Sequence, residues 1–370
     1  MDHRFTGPAF TVGIEEELML VDPGTLDLAQ GIESILSDPG AGGVGEIKPE
    51  LMQAVLEIAT EPCPNLEEAA AQLADLRTRV REAAARHGML LAASGTHPTA
   101  RGEDQLITAR PRYRELAAEL GWIALQELIF GTHVHVGVDG ADKAIYIADG
   151  VRRHIPLMLA VSSNSPLWRG HATQMMSART PAFRAFPRVG VPPHYGTWEI
   201  FSGRVELMMR SGAIPDYTYL WWDVRPHPNL GTVEIRVYDQ QTRLGDTVAL
   251  AALGICLVHR YASNFEASEP LIEVPTELID DNKVRASLHG IEGELVDFPR
   301  HHRAPAADLA REMVAELARD AEALGCEEAL GAVEGIIEAG TGARRQLGVL
   351  ESGAGVDGLV RYLCEESADY

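Results

Sequence analysis

The amino-acid sequence predicts an α+β fold in which several β-strands carry polar side chains on one face of a sheet. Four segments alternate between apolar and charged or polar residues with the two-residue period of a strand. After about residue 246, apolar residues follow helical spacing instead. No internal repeat or low-complexity linker divides the chain. We therefore expect one domain over residues 1–370, with the sheet mostly within 10–245 and a mainly helical portion over 246–370.

The first predicted strand is Thr11–Val21, with the sequence TVGIEEELMLV. Because successive side chains of a strand point to opposite faces, Glu15 and Glu17 share one face and Glu16 lies among apolar residues on the other. Two neighbouring carboxylates repel each other unless a positive group lies between them. The segment therefore predicts a cation-binding surface, and a solvated strand edge is the alternative.

A second strand is predicted over Glu46–Thr60, where alternation places Glu57 on the same face as Leu51, Gln53 and Val55. A helix is the alternative here, because the local pattern fits both.

Two later strands add histidine and arginine to the polar face. In GTHVHVGV, residues 131–138, His133 and His135 point away from three valines. The segment GTVEIRVYD, residues 231–239, is the cleanest strand pattern of the chain. Its alternation places three polar side chains on one face: Glu234, Arg236 and Tyr238.

The clearest helix runs from Asn65 to His87, with Asn65 as the N-cap and Gly88 as the stop. The other elements follow from spacing and from Gly and Pro content. They are helices over 112–130, 143–165, 304–324 and 326–340, a strand over 201–209, and a long site-covering connection over 166–200.

Charge and composition restrict the partners. A net charge of −22 and a pI near 5.0 disfavour nucleic acid and anionic membranes. The chain starts without a secretion-signal pattern, and no apolar run reaches the ~18 residues of a membrane span. The four cysteines form no C-x-x-C pair, which predicts reduced thiols. We expect a cytoplasmic protein that acts on small molecules. A homodimer is one possible oligomeric state.

The types of ligand atom on the polar face restrict which metal ion could bind there. Carboxylates with one or two imidazoles suit Mg²⁺ or Mn²⁺ better than structural zinc. Such sites usually complete the metal's coordination with nucleotide phosphates, and arginines such as Arg179, Arg225 and Arg236 would neutralise the remaining charge. The P-loop pattern G-x-x-x-x-G-K-[ST] and the nucleophile pattern G-x-S-x-G are both missing. The alternatives without a functional role are a core pair for the two histidines and a cross-strand salt bridge for Glu234 and Arg236.

Five motifs then show a resemblance: GIEEEL at 13–18, GTHP at 95–98, GTHVHVGV at 131–138, NSPLWRG at 164–170 and TVEIRVYD at 232–239. Together they resemble the carboxylate–amine ligase family, also called glutamate–cysteine ligase type 2, from residue 10 to past 360. The resemblance implies a glutamine-synthetase-like fold. This is a curved, largely antiparallel sheet with helices on its convex face, whose concave face holds ATP, Mg²⁺ and an acid substrate.

The resemblance also implies a reaction and the residues that carry it. An amino-acid carboxylate, glutamate by default, would be activated by ATP as an acyl phosphate and then joined to an amine, cysteine by default. The metal ligands would be Glu15, Glu17, Glu57, His133 and Glu234. The catalytic contacts would be made by Arg236, Arg225, Arg179 and His135. The nucleotide and substrate would also be bound by Arg236, Arg225, Asn164 and Ser165.

Two other functions stay open at this point. An amidohydrolase-type metal hydrolase also carries His-x-His on a strand, although within a (β/α)₈ barrel. A non-catalytic protein that senses a nucleotide or metabolite is the second alternative. The number of charged metal-ligand candidates argues against the sensor, because binding alone does not need so many.

Overall fold

A seven-stranded antiparallel sheet forms the centre of the computed structural model, which describes residues 1–368; residues 369 and 370 of the predicted domain lie outside the described part. The strands are β1 (Val12–Val21), β2 (Glu46–Pro49), β3 (Val55–Ala59), β4 (Leu90–Ala92), β5 (Gly131–Gly137), β6 (Val224–His227) and β7 (Thr232–Asp239). Their order is β6-β7-β5-β1-β3-β2, and β4 pairs with the end of β1. The long strand β1 therefore touches three neighbours and organises the sheet.

Helices make up most of the remaining chain. In the described residues they are α1 (Ile32–Ser37), α2 (Leu66–Arg86), α3 (Pro111–Leu120), α4 (Ala141–Val151), α5 (Ile155–Ser162), α6 (Arg179–Phe183), α7 (Trp198–Arg210), α8 (Leu244–Glu266), α9 (Thr276–His289), α10 (Ala306–Glu316), α11 (Ala318–Leu324), α12 (Glu327–Ala339), α13 (Gly342–Glu351) and α14 (Gly355–Glu366). A separate hairpin, β8 (Glu294–Asp297) and β9 (His302–Pro305), lies between α9 and α10.

One face of the sheet is apolar and covered by helices α2, α4, α5 and α8. Ile14, Val134 and Ile235 lie directly opposite one another on three neighbouring strands, and all three are fully buried. Burial of such side chains is the main stabilising contribution to the fold. The side chains of Glu15, His133 and Glu234, each next to one of these residues in its strand, therefore point to the opposite face, as alternation predicted.

The predicted strands at 11–21, 131–138 and 231–239 are confirmed, and so is the helix that Asn65 caps. The side-chain oxygen of Asn65 accepts a hydrogen bond from the backbone N–H of Glu68 at 2.9 Å. This capping satisfies one of the free N–H groups at the start of α2.

The prediction of one strand over Glu46–Thr60 is wrong, because this segment is the hairpin β2–β3. Pro49 ends β2, since proline has no N–H to donate to a neighbouring strand. The backbone N–H of Val55 then bonds to the carbonyl of Met52 at 3.0 Å, which closes the turn. As a result Glu57 lies opposite Lys48 of the same hairpin.

The predicted strand over 201–209 is also wrong, because these residues lie in α7. Thr197 caps this helix through a hydrogen bond from the N–H of Ile200 at 3.3 Å. Phe201 and Val205 are buried at the four-residue spacing of a helix.

Several helix boundaries differ from the prediction. Helix α3 ends at Leu120, because Gly121 has a positive φ of 56°, which glycine adopts readily, and a 3₁₀ turn over 121–126 replaces the predicted continuation. The predicted helix at 143–165 divides into α4 and α5. The helix predicted at 304–324 divides into α10 and α11, after a strand that ends at Pro305.

By length and composition alone, one helix among the described residues, α8, could span a membrane. It is long and apolar enough to do so, but 67% of its most apolar stretch is buried inside the protein. This burial is the pattern of a core helix that packs on the sheet.

Candidate active site

The strand register brings the predicted site residues together on the open face of the sheet. Glu15 of β1 lies opposite His133 of β5, and His135 lies opposite Glu234 of β7. Glu17 lies opposite Glu57 of β3. Residues separated by up to 118 positions in the chain thus become direct neighbours through backbone pairing.

Four of these side chains, Glu15, Glu17, Glu57 and His133, line a cavity of about 340 Å³, whereas His135 and Glu234 are not part of its lining. Its wall includes the expected residues Glu15, Glu17, Glu57, His133, Arg179, Arg225 and Arg236. Apolar side chains, including Phe183, Trp221 and Leu116, line the remaining wall. A small-molecule site typically combines an apolar wall with a few converging polar groups.

The first group of metal-ligand candidates consists of Glu15, Glu57 and His133, whose ligand atoms all lie within 4.8 Å of one another. Nδ1 of His133 lies 3.2 Å from Oε2 of Glu15. The other ring nitrogen of His133, Nε2, is buried and has no hydrogen-bond partner in the described residues. A buried ring nitrogen without a partner is costly and marks a position where a ligand fits.

The second group consists of Glu15, His135 and Glu234, with the same 4.8 Å limit. Nε2 of His135 lies 3.6 Å from Oε2 of Glu15 and 3.8 Å from Oε1 of Glu234. The ring is oriented by a 3.0 Å hydrogen bond between Nδ1 and the hydroxyl of Thr232. His135, which the sequence placed against substrate or phosphate, therefore has the geometry of a metal ligand as well.

The electrostatics of the cavity also fit a bound cation. Burial and the charges of Glu15 and Glu50 raise the pKa of Glu57 well above its usual value. Burial and the charge of Glu17 raise the pKa of Glu50 to about 8. Divalent cations would relieve this repulsion, and oxygen-rich donor sets of this kind suit Mg²⁺.

Glu234 has the opposite environment because it lies between two guanidinium groups. Burial raises the pKa of its carboxyl, but the charges of Arg225 and then Arg236 outweigh burial and hold that pKa well below its usual value. Arg225 binds it through two hydrogen bonds, and Arg236 also donates to it. The plain alternative of a cross-strand salt bridge is therefore present within the site itself.

The three candidate arginines differ in how many of their N–H groups are already hydrogen-bonded within the protein. Arg225 also donates to the backbone carbonyls of Thr218 and Leu220, at 3.1 and 2.6 Å. Arg236 and Arg179 each keep a buried Nε–H without a hydrogen-bond partner in the described residues. These two arginines consequently have the freer donors for an anionic ligand.

Asn164 and Ser165, which were predicted to bind the nucleotide and substrate, do not line this cavity. Both are fully buried and bind other parts of the protein. The backbone N–H of Asn164 and the hydroxyl of Ser165 both donate to Asp239, at 2.9 and 2.7 Å. The hydroxyl of Ser165 accepts from the backbone N–H of Arg179 at 3.1 Å, so these residues support Arg179 from behind.

A bulge in β7 moves Tyr238 away from the polar face, where alternation predicted it to lie with Glu234 and Arg236. The pairing of β7 with β5 shifts between Ile235 and Tyr238, so that Tyr238 lies opposite Thr132. Tyr238 is consequently buried under the helices, where its hydroxyl contacts Sδ of Met158 at 3.3 Å. The extra residue thus leaves Glu234 and Arg236 in the site and removes Tyr238 from it.

Sequence reasoning did not identify several residues of the cavity wall. Glu50 lies in the turn that was predicted as a strand, and Glu127 follows a turn that was predicted as a helix. The pKa of Glu127 is raised well above its usual value by burial and by the charge of Glu50. Their isolated carboxylates carried no periodic signal in the sequence. The other additions are Arg112, Tyr113, Thr218 and His227.

Comparison with known proteins identifies the family. The family described as glutamate–cysteine ligase family 2 matches residues 11–366. The chain belongs to this family. A Rubrobacter xylanophilus protein with the provisional name glutamate–cysteine ligase 2-3 is 43% identical over 371 residues, which cover 100% of both chains. A second protein of that organism, provisionally glutamate–cysteine ligase 2-1, is 42% identical over 99% of this chain and 96% of its own. The protein is thus a ligase that forms a C–N bond, as the sequence predicted.

Two solved structures share the fold at low sequence identity. The glutamate–cysteine ligase of Francisella tularensis, solved in complex with AMP, matches with a TM-score of 0.71 and 13% identity over 100% of this chain and 91% of its own. A bifunctional glutathione synthetase of Pasteurella multocida matches with a TM-score of 0.69 and 14% identity, over 97% of this chain and 52% of its own. The predicted α+β ligase fold is confirmed. The antiparallel sheet also excludes the (β/α)₈ barrel that the hydrolase alternative required.

Proposed function

We propose that this ligase uses ATP to activate an amino-acid carboxylate, glutamate by default, as an acyl phosphate, and then couples it to an amine, cysteine by default. The carboxylate oxygen would attack the γ-phosphate of ATP, breaking the bond to the β-phosphate oxygen and releasing ADP. The amine nitrogen would then attack the acyl carbon, form the amide bond and release phosphate. The observation that carries this proposal is one cavity lined by the first metal-ligand group, by Glu15, which the second group shares, and by two arginines that each keep an Nε–H without a partner in the described residues.

Mg²⁺ is the proposed metal, with Mn²⁺ as a substitute. Glu15, Glu57 and His133 would hold one ion, and Glu15, His135 and Glu234 a second, with Glu17 beside them. When bound, the ions would screen the negative charges of the carboxylate and the phosphates so that the two reactants can approach.

The remaining side chains would orient the reactants. Arg236 and Arg179 would donate their free N–H groups to the transferring phosphoryl group or to the substrate carboxylate. Arg225 would act on the same reaction by holding Glu234 in its charged form. Phe183 and Trp221 would exclude water from one side of the cavity.

The test is ADP release measured with ATP and Mg²⁺ across a matrix of carboxylic acids and amines, including glutamate and cysteine. We expect ADP only when an acid and an amine are both present, together with a new amide detected by mass spectrometry. ADP release with an acid and hydroxylamine, accompanied by the hydroxamate, would support the acyl phosphate. Tight ATP binding without ADP from any pair would support the sensor alternative instead.

A further inference from the structure

A buried ion pair lies behind the polar face, on the helix-covered side of β1. Glu16 and Arg77 of α2 are both fully buried. Two parallel hydrogen bonds join them, from Nε to Oε2 and from Nη2 to Oε1, each of 2.6 Å. A buried pair of this kind contributes little net stability, because removing two charges from water offsets their attraction. Stability alone is therefore a weak explanation for its presence among apolar side chains.

The pair also fastens the end of β7 to β1. Arg77 donates to the backbone carbonyls of Gln241 and Thr242 at 2.9 and 2.8 Å. Glu16 accepts from the side chains of Gln240 and Thr247 at 2.9 and 2.7 Å. Thr247 belongs to α8, so the network joins β1, two helices and the segment that follows β7.

The hydrogen-bond network also reaches strand β5, through the side chain of Gln240. Its side-chain oxygen accepts a hydrogen bond from the hydroxyl of Thr132 in β5 at 3.2 Å. Glu16 lies between Glu15 and Glu17 in the chain, and Thr132 immediately precedes His133. The two strand residues of the network, Glu16 and Thr132, are thus direct neighbours of side chains that line the cavity on the other face.

We infer that Glu16 and Arg77 are positioning residues, which set the spacing of Glu15 and His133 from behind the sheet. This inference rests on the proposed metal-dependent function. A strand residue that is held on one face holds its neighbours on the other, since the backbone between them has only two soft dihedral angles per residue. Groups that orient metal ligands typically change metal affinity by about 10- to 100-fold when they are lost.

The test is Mn²⁺ binding by the full-length protein, measured by electron paramagnetic resonance without nucleotide or turnover. In Arg77→Lys, one ammonium replaces the planar fork, so we expect at least about a tenfold loss of Mn²⁺ affinity. The matched control is Arg79→Lys, because Arg79 lies on the same helix but binds Asp75 of that helix and two loop carbonyls, of Ala41 and Val44. The Mn²⁺ affinity of Arg79→Lys should equal that of the wild type.

A second variant covers the case in which Arg77→Lys does not fold. The double variant Glu16→Gln/Arg77→Met removes both charges, a change that folded proteins often tolerate. If this double variant unfolds cooperatively but binds Mn²⁺ at least about tenfold more weakly than the wild type, the inference holds. Wild-type Mn²⁺ affinity in both folded variants would overturn it and leave the proposed function intact. A wild-type protein that binds no Mn²⁺ would instead contradict the proposed metal dependence.

Discussion

Arg225 binds the carboxylate of Glu234 through two hydrogen bonds across neighbouring strands, of 2.6 Å from Nε and 3.3 Å from Nη2. The two residues lie directly opposite each other in the β6–β7 pair. This arrangement keeps a carboxylate charged in a buried position, where an unpaired carboxylate would take up a proton. It also uses most donors of Arg225, which makes Arg236 and Arg179 better candidates for binding an anionic reactant.

Glu15 belongs to both metal-ligand groups, so its replacement should have the largest effect. For Glu15→Gln we expect at least about a 100-fold loss of turnover with the fold retained, because metal screening is worth several kcal/mol. Glu46→Gln is the control, since Glu46 is exposed and binds only Lys48 at the sheet edge among the described residues. ADP release and Mn²⁺ affinity measure the effect. Wild-type turnover in Glu15→Gln would contradict its role as a shared ligand.

Arg236 donates one hydrogen bond to Glu234 from Nη1, and its Nε–H has no partner within residues 1–368, so a point charge cannot replace it. We expect Arg236→Lys to lower kcat at least about tenfold, because lysine lacks the planar fork. Arg311→Lys is the matched control, since Arg311 binds Glu334 and neither residue lines the cavity. An unchanged rate in Arg236→Lys would show that Arg236 only holds Glu234.

Gly131 allows Arg179 to approach the sheet. A Cβ atom at position 131 would lie 2.3 Å from Nη2 of Arg179. The guanidinium is the flexible end of its side chain, so Gly131→Ala should fold and displace it by about 1 Å, a misplacement that can cost about 100-fold in rate. We therefore expect lower turnover with nearly unchanged thermal unfolding.

The control for this substitution is Gly203→Ala in α7, where a Cβ atom would meet nothing within 4 Å. Alanine in the helix should raise the free energy of unfolding by about 0.5–1 kcal/mol, with turnover unchanged. If Gly131→Ala keeps the wild-type rate, the position of Arg179 does not limit the reaction.

His154 provides a test of stability against pH outside the site. Burial, with the charges of Arg153 and Arg260, lowers its pKa from 6.5 to about 3. Between these values the unfolded chain binds more protons than the folded one, so the stabilisation present above pH 6.5 is lost as pH falls toward 3. The loss from this residue at pH 5 would be at most about 2 kcal/mol.

Urea unfolding of His154→Gln at pH 7 and pH 5 checks this prediction. The Gln amide oxygen can accept the bond that Nε2 now accepts from the hydroxyl of Tyr261 at 2.9 Å, but it does not titrate in this range. We expect a smaller difference between the two pH values than in the wild type. His171→Gln is the control because His171 is exposed. An equal difference in His154→Gln and the wild type would show that His154 does not couple to folding.

Much of the site could be predicted because strand alternation is local. Glu15 and Glu17 share a face whatever the neighbouring strands are, and the same holds for His133 and His135. Asn164 and Ser165 were predicted beside the nucleotide from a motif alone, whereas their position depends on Asp239, about 75 residues away in the chain. Such contacts leave no periodic trace in the sequence.

By itself, the sequence determined which side chains could share the polar face, the start of α2 and the family of the protein. Only the tertiary structure decided that β1 lies between β5 and β3, that Tyr238 leaves the site, and that Glu50 and Glu127 enter it. The physical reason is the range of the interactions. Side-chain alternation and helix capping act over one to four residues, whereas strand order, the bulge and burial arise from hydrogen bonds and packing between segments far apart in the chain.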